Sequence, residues 1–154
     1  MIEAKATLAQ LEKLSADTPA DYAAGFNTAR DMFAIAALVI KARIADAEKR
    51  SEEAVSDLRA AVSREDLTAY DEPADWFFPV RHLLGVQLLK AGKAKEAEAV
   101  YREDLKRHPD NGWSLYGLAQ ALKAQKNAAA AAKVEKRLAA AWTKADSPLT
   151  SSAF

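Results

Sequence analysis

Apolar positions recur at helical spacing along most of this chain. Ile2, Leu8, Leu11 and Leu14 fall on one broad face and predict a helix over residues 2–14. Residues 15–19 break it, with Thr18 and Pro19 reading as a cap and first-turn pair for the next segment. From about residue 28 to 49, Met32, Phe33, Ile35, Leu38, Val39, Ile40 and Ile44 wrap nearly the whole circumference. A helix apolar all round belongs at the centre of its fold. Ser51 is expected to cap the next helix, with Glu52 and Glu53 where the helix dipole favours acids, and Ala54, Val55, Leu58, Ala61 and Val62 as its stripe.

Residues 68–79 interrupt the periodicity with two prolines, several acids and four aromatics. A helix is expected from near Trp76 to Ala91, ended by Gly92, with its partner over residues 93–107. Pro109, Asp110, Asn111 and Gly112 form a turn. The last pair spans about 113–125 and 128–144, and 147–154 is expected to be a loose tail.

The spacing inside residues 78–109 is informative. Leu84-Gly85, Leu88, Ala97, Tyr101 and Pro109 describe two helices brought close by small residues, with Tyr101 reaching across and Pro109 stopping the second helix. A shift of 34 residues finds Leu118-Ala119, Leu122, Ala131 and Val134, and a shift back of 43 finds Ala42, Ala54, Leu58 and Ala61. The pattern resembles the tetratricopeptide repeat superfamily over nearly residues 30 to 145. It departs from the family at Arg81, where Trp is common, at Leu88, where Tyr is common, and in the last unit at Lys126 and Glu135. Gly25-Phe26-Asn27, Ala42-Arg43-Ile44-Ala45, Tyr70-Asp71-Glu72-Pro73, Trp76, Arg102-Glu103-Asp104-Leu105 and Asn111-Gly112-Trp113-Ser114-Leu115 look like the C-terminal part of larger bacterial tetratricopeptide proteins of unassigned function.

The resemblance implies an all-α fold of about seven helices. Six of them would form three stacked hairpins, at about 30–66, 76–108 and 112–145, in a right-handed superhelix. Helix 2–14 would be the remnant of a preceding repeat, so the expectation is a fragment, or an orphan face covered by homodimerisation. A single domain over 1–146 is the expected organisation.

Composition narrows the function classes. Lys plus Arg equals Asp plus Glu at 22 each, without the basic excess of a nucleic-acid binder. With no Cys, disulfides, Cys-ligated zinc and thiol catalysis are excluded in this chain. The longest strongly apolar run, residues 32–40, is too short for a membrane helix, which needs about 20 residues. The chain therefore reads as a cytoplasmic protein with no membrane partner. The five glycines are scattered singly, so no phosphate loop exists, and His82 and His108 sit in no metal-binding pattern. No catalytic residues and no cofactor are assigned.

The resemblance places His82, Val86, Leu89 and Lys90 on a concave groove, with Trp113, Tyr116, Gln120 and Lys123 from the last hairpin and Arg43 from the first. Aromatics, amides and cations together suit an extended peptide with an acidic or carboxylate group. Packing of Trp113 and Tyr116 on a neighbouring hairpin is the competing explanation. Asp71, Glu72, Asp75 and Trp76, with Arg81, form a secondary candidate for a hard cation or a carboxylate. The competing explanation there is a rigid connection whose acids complement a helix dipole. The expected function is non-catalytic protein or peptide binding. The alternatives are a helical part of a larger enzyme or metal-dependent protein, and a self-assembly domain.

Overall fold

Hairpin closure uses one backbone device, repeated three times. Lys49, Gly92 and Lys126 have left-handed φ of 63°, 73° and 60°. The next residue in each case, Arg50, Lys93 or Asn127, donates its N–H to the carbonyl five residues back, on Ala45, Leu88 or Leu122, at 2.8, 2.8 and 3.0 Å. This satisfies carbonyls that a helix end otherwise leaves without a partner and turns the chain back at once. The three positions are offset by 43 and 34 residues, the same shifts that align the apolar pattern.

The structure, a computed structural model, describes residues 1–153. Among them are seven helices: α1 (Ile2–Asp17), α2 (Ala29–Ala47), α3 (Ser51–Glu65), α4 (Val80–Lys90), α5 (Ala94–Arg107), α6 (Gly112–Ala124) and α7 (Ala128–Ala141). The fold is all-α, as the periodicity predicts. The chain divides into two units, Met1–Val80 and Arg81 onward, and each is described by itself.

In the first unit α2 packs between α1 and α3, consistent with its apolar circumference. Ile35, Ala42, Ile44 and Ala45 of α2 meet Ala54, Val55, Leu58 and Ala61 of α3 in the buried core. No residue of α1 is buried. Its inward stripe is Ala4, Leu8, Leu11 and Ser15, all half-buried, whereas Ile2 (90% exposed) and Leu14 point away. Lys5–Glu48 and Lys41–Glu12 pairs at 2.6 and 2.8 Å tie α1 to the α2 hairpin. Exposed pairs of this kind contribute little, about 0–1 kcal/mol.

Three local expectations change. Thr18 and Pro19 start no helix: Thr18 is the C-cap of α1, and its hydroxyl donates to Leu14 O at 2.7 Å. The chain instead makes a short antiparallel ladder, β1 (Ala23–Ala24) with β2 (Asn27–Thr28), turning at Gly25 with φ +61°. Thr28 then opens α2 through a reciprocal capping box with Asp31. Ser51 is not a cap, since Arg50 holds that position and no side chain closes it. Helix α4 begins at Val80 rather than near Trp76, because Pro79 precedes it and both carboxylate oxygens of Glu65 accept the Val80 N–H, at 3.0 and 3.2 Å.

The left-handed lysines carry a strain that glycine does not. Lys126→Gly should therefore raise stability by about 0.5–1 kcal/mol, the relieved strain being partly offset by glycine's larger unfolded-state entropy. Urea denaturation checks the sign, and a loss of stability would show that the lysine side chain contributes more than its backbone costs.

Candidate functional site

Tyr101 organises the second unit. It lies on α5, is fully buried, and has a helix backbone on either side of its ring. A Cβ built on Gly85 of α4, or on Gly117 of α6, would fall 2.2 Å from the Tyr101 Cζ. Three helices thus converge on one phenol because two of them have no side chain at the point of approach. The phenolic oxygen emerges beyond the two glycines and meets the Ser152 hydroxyl at 2.5 Å. Burial pushes the Tyr101 hydroxyl up to about 12, against the opposing hydrogen bond from Ser152.

Beside it, on the same helix, Asp104 is fully buried. Its carboxylate accepts from the Ser114 hydroxyl at 2.5 Å and lies 3.2 Å from His82 Nε2 and 3.0 Å from His108 Nδ1. Burial pushes this carboxyl up most strongly, yet the bonds from His82 and Ser114 and the charge of both histidines win, so it sits below its ordinary value. The cluster joins α4, α5 and α6 through polar contacts inside the core. Ser114 donates to the carboxylate and not to a histidine, so a histidine-activated hydroxyl is not formed in this cluster.

Of the groove residues, His82 turns inward to Asp104 and stacks near Trp113, with centroids 6.4 Å apart. Val86, Leu89, Trp113, Tyr116 and Gln120 are half-buried, and Lys90 and Lys123 are exposed. Trp113 also meets Trp142 edge-on at 5.1 Å, so it packs on the last hairpin while keeping part of its surface. Lys123 pairs with Glu135 at 2.5 Å. Arg43 is exposed on α2 and belongs to the first unit.

Tyr116 donates its hydroxyl to the main-chain oxygen of Thr150 at 3.1 Å. The segment 147–153, for which the sequence predicts a loose tail, is held at three points. Ser147 O accepts from the Trp142 indole at 2.8 Å, Thr150 O accepts from Tyr116, and Ser152 is 1% exposed against Tyr101. Phe154 lies outside the described residues. Sequence reasoning missed Asp104, Gly117 and Ser152, although two of the chain's five glycines, Gly112 and Gly117, fall in the one helix α6 and signal a close approach there.

The secondary candidate sits in the first unit, apart from Arg81, which belongs to the second. Asn27 pairs with the backbone of Ala69 in both directions, at 2.7 and 3.2 Å, and donates to Asp75 at 2.6 Å. Asp71 and Asp75 lie over Gly25, where a Cβ would fall 2.5 and 2.2 Å from their oxygens. Glu72 accepts from the Tyr70 hydroxyl. Trp76 packs among Phe77 and Phe78 at 5.5 and 6.1 Å. Asp75 and the Ala69 backbone, both through Asn27, fasten the irregular stretch to the β1–β2 ladder. Among the described residues, no group of three or more His, Cys, Asp or Glu is placed to hold a metal ion.

Residues 88–143, from within α4 to just beyond α7, match the family model described as tetratricopeptide repeat. Over that stretch the chain is similar to tetratricopeptide repeats, and its helix pairing agrees with the likeness. Such repeats are, as a class, non-catalytic scaffolds for protein–protein contacts. Comparison with curated proteins and with solved structures found no match. No helix of the described residues is long and apolar enough to cross a membrane.

Proposed function

We propose that the second unit binds an extended segment of a protein partner on the face of α4 and α6 that carries Val86, Leu89, Lys90, Trp113, Tyr116, Gln120 and Lys123. One observation carries the reading: Tyr116 already donates to a main-chain carbonyl of a segment that is neither helix nor strand. Recognition of a peptide backbone requires such a donor beside partly exposed apolar surface, and Val86, Leu89 and Trp113 supply that surface. A tyrosine offers it at low entropic cost, since it has few rotatable bonds to freeze. Lys90, exposed at the end of α4, adds a preference for acidic groups.

The test is a peptide array probed with the whole chain, followed by titration of the captured peptides. Tyr116→Ala should weaken binding at least tenfold, the equivalent of about 1.4 kcal/mol. Lys90→Ala should weaken acidic peptides about two- to fivefold, as loss of a partly screened charge does. Affinities unchanged in both variants would reject the face.

A further inference from the structure

The segment 147–153 lies where a partner segment would have to lie. Resting on the binding face proposed for α4 and α6, we infer that this segment is an intramolecular ligand of that face, so that a partner binds only by displacing it. Tyr116 is a groove position by the repeat pattern, and its hydroxyl is taken by Thr150 O at 3.1 Å. Two residues on, Ser152 is almost fully buried, with its hydroxyl on the Tyr101 phenol that projects between Gly85 of α4 and Gly117 of α6. The Ser147 carbonyl on the Trp142 indole sets where the segment leaves α7. Ala153 N–H closes a local turn on the Ser151 hydroxyl at 3.2 Å.

These contacts have the chemistry of ligand recognition and little of a core. Their bonds are made by a main-chain carbonyl and a small hydroxyl, and Leu149 is only half-buried. Any extended peptide presents the carbonyl, and any segment with a small hydroxylated residue two positions later presents the rest. The displacing partner is therefore an extended protein segment with Ser, or another small side chain, two positions after the residue whose carbonyl meets Tyr116. Ser152 sets that limit, since it fits where almost no solvent reaches.

Tethering makes the competition effective. The segment starts a few residues after α7, so its effective concentration at the face is in the millimolar range for short linkers. The apparent affinity of a partner falls by the fraction of time the face is open. A tenfold weakening corresponds to a face free about a tenth of the time.

The experiment uses the whole chain and two displacing variants. Ser152→Arg puts a long charged side chain where there is no room. Leu149→Asp leaves the Tyr101 partner in place and serves if the first variant is poorly folded. Hydrogen exchange reads the amides of Ser152, which is buried, and Ala153, which is bonded to the Ser151 hydroxyl, and a labelled peptide of sequence Ser-Pro-Leu-Thr-Ser-Ser-Ala is titrated in trans. Protection of those amides by at least tenfold in the unmodified chain, lost in the variants, with peptide binding at least tenfold tighter in the variants, is the expected result. Amides exchanging at unstructured rates in the unmodified chain overturn the inference, as does equal peptide affinity in all three proteins. Protected amides with no peptide bound by any of the three also overturn it. The exchange readout needs no partner, so its failure is distinct from failure of the peptide array.

Discussion

Asp104→Ala should destabilise the second unit by about 3–5 kcal/mol, the cost of leaving buried partners without the charge they face. His82, Ser114 and His108 all direct polar atoms at this one carboxylate, and the first two are themselves buried. Truncation leaves their donors facing a cavity, which is worse than removing the whole network. Asp104→Asn keeps an acceptor and should lose less, about 1–3 kcal/mol. The pH dependence separates these cases. The folded carboxyl is held below its ordinary 3.8, so its contribution is complete above that value and is lost as pH falls through the lower, folded value. Urea midpoints should therefore drop on acidification below about pH 4 in the native chain. That acid limb should flatten in Asp104→Asn. An unchanged limb would show that other carboxylates set the acid behaviour.

Tyr101→Ala should cost a similar amount, about 3–5 kcal/mol, because an aromatic ring is deleted from between two helix backbones that cannot collapse onto each other. The more informative measurement is the pair with Gly85. Gly85→Ala alone places a methyl 2.2 Å from the Tyr101 ring, and overpacking of that kind costs about 1–3 kcal/mol. Combined with Tyr101→Leu, whose shorter side chain does not reach that point, the methyl should be tolerated. The double variant should then be more stable than the sum of the single losses predicts, by at least about 0.5 kcal/mol. Strict additivity in urea denaturation would show that Gly85 and Tyr101 are not in the contact described. Alkaline pH gives an independent check on the same ring. Its folded value of about 12 lies above the ordinary 10.0, so the stability it lends is full below pH 10 and is lost as pH rises from there through the folded value.

Much of the architecture was legible from particular residues. Leu84, Leu88, Ala97 and Tyr101 are all buried, and the offsets of 34 and 43 reappear as the left-handed turn positions 49, 92 and 126. Even the departure at Lys126 kept the turn, because its neighbouring carbonyls still required the closure that glycine normally makes easiest. Helix starts were less legible. Pro79 and the Glu65 carboxylate together delay α4 to Val80, and no local signal reveals a capping group fifteen residues away in sequence. Of the candidate groove residues, Trp113 and Tyr116 keep part of their surface exposed, while His82 proved to be a partner of the buried Asp104.

Residue order alone determined the helices, their pairing and the small residues that let them approach, since these depend on periodicity and on contacts within a few turns. Only the tertiary structure decided the buried polar contacts of the second unit. Asp104 reads as one more surface acid of an amphipathic helix until three helices close over it. Ser152 reads as a polar residue of an unstructured stretch until the Tyr101 hydroxyl, 51 residues away, reaches it between two glycines. Both outcomes depend on long-range desolvation, which no window of sequence records because the atoms that exclude the water come from elsewhere in the chain.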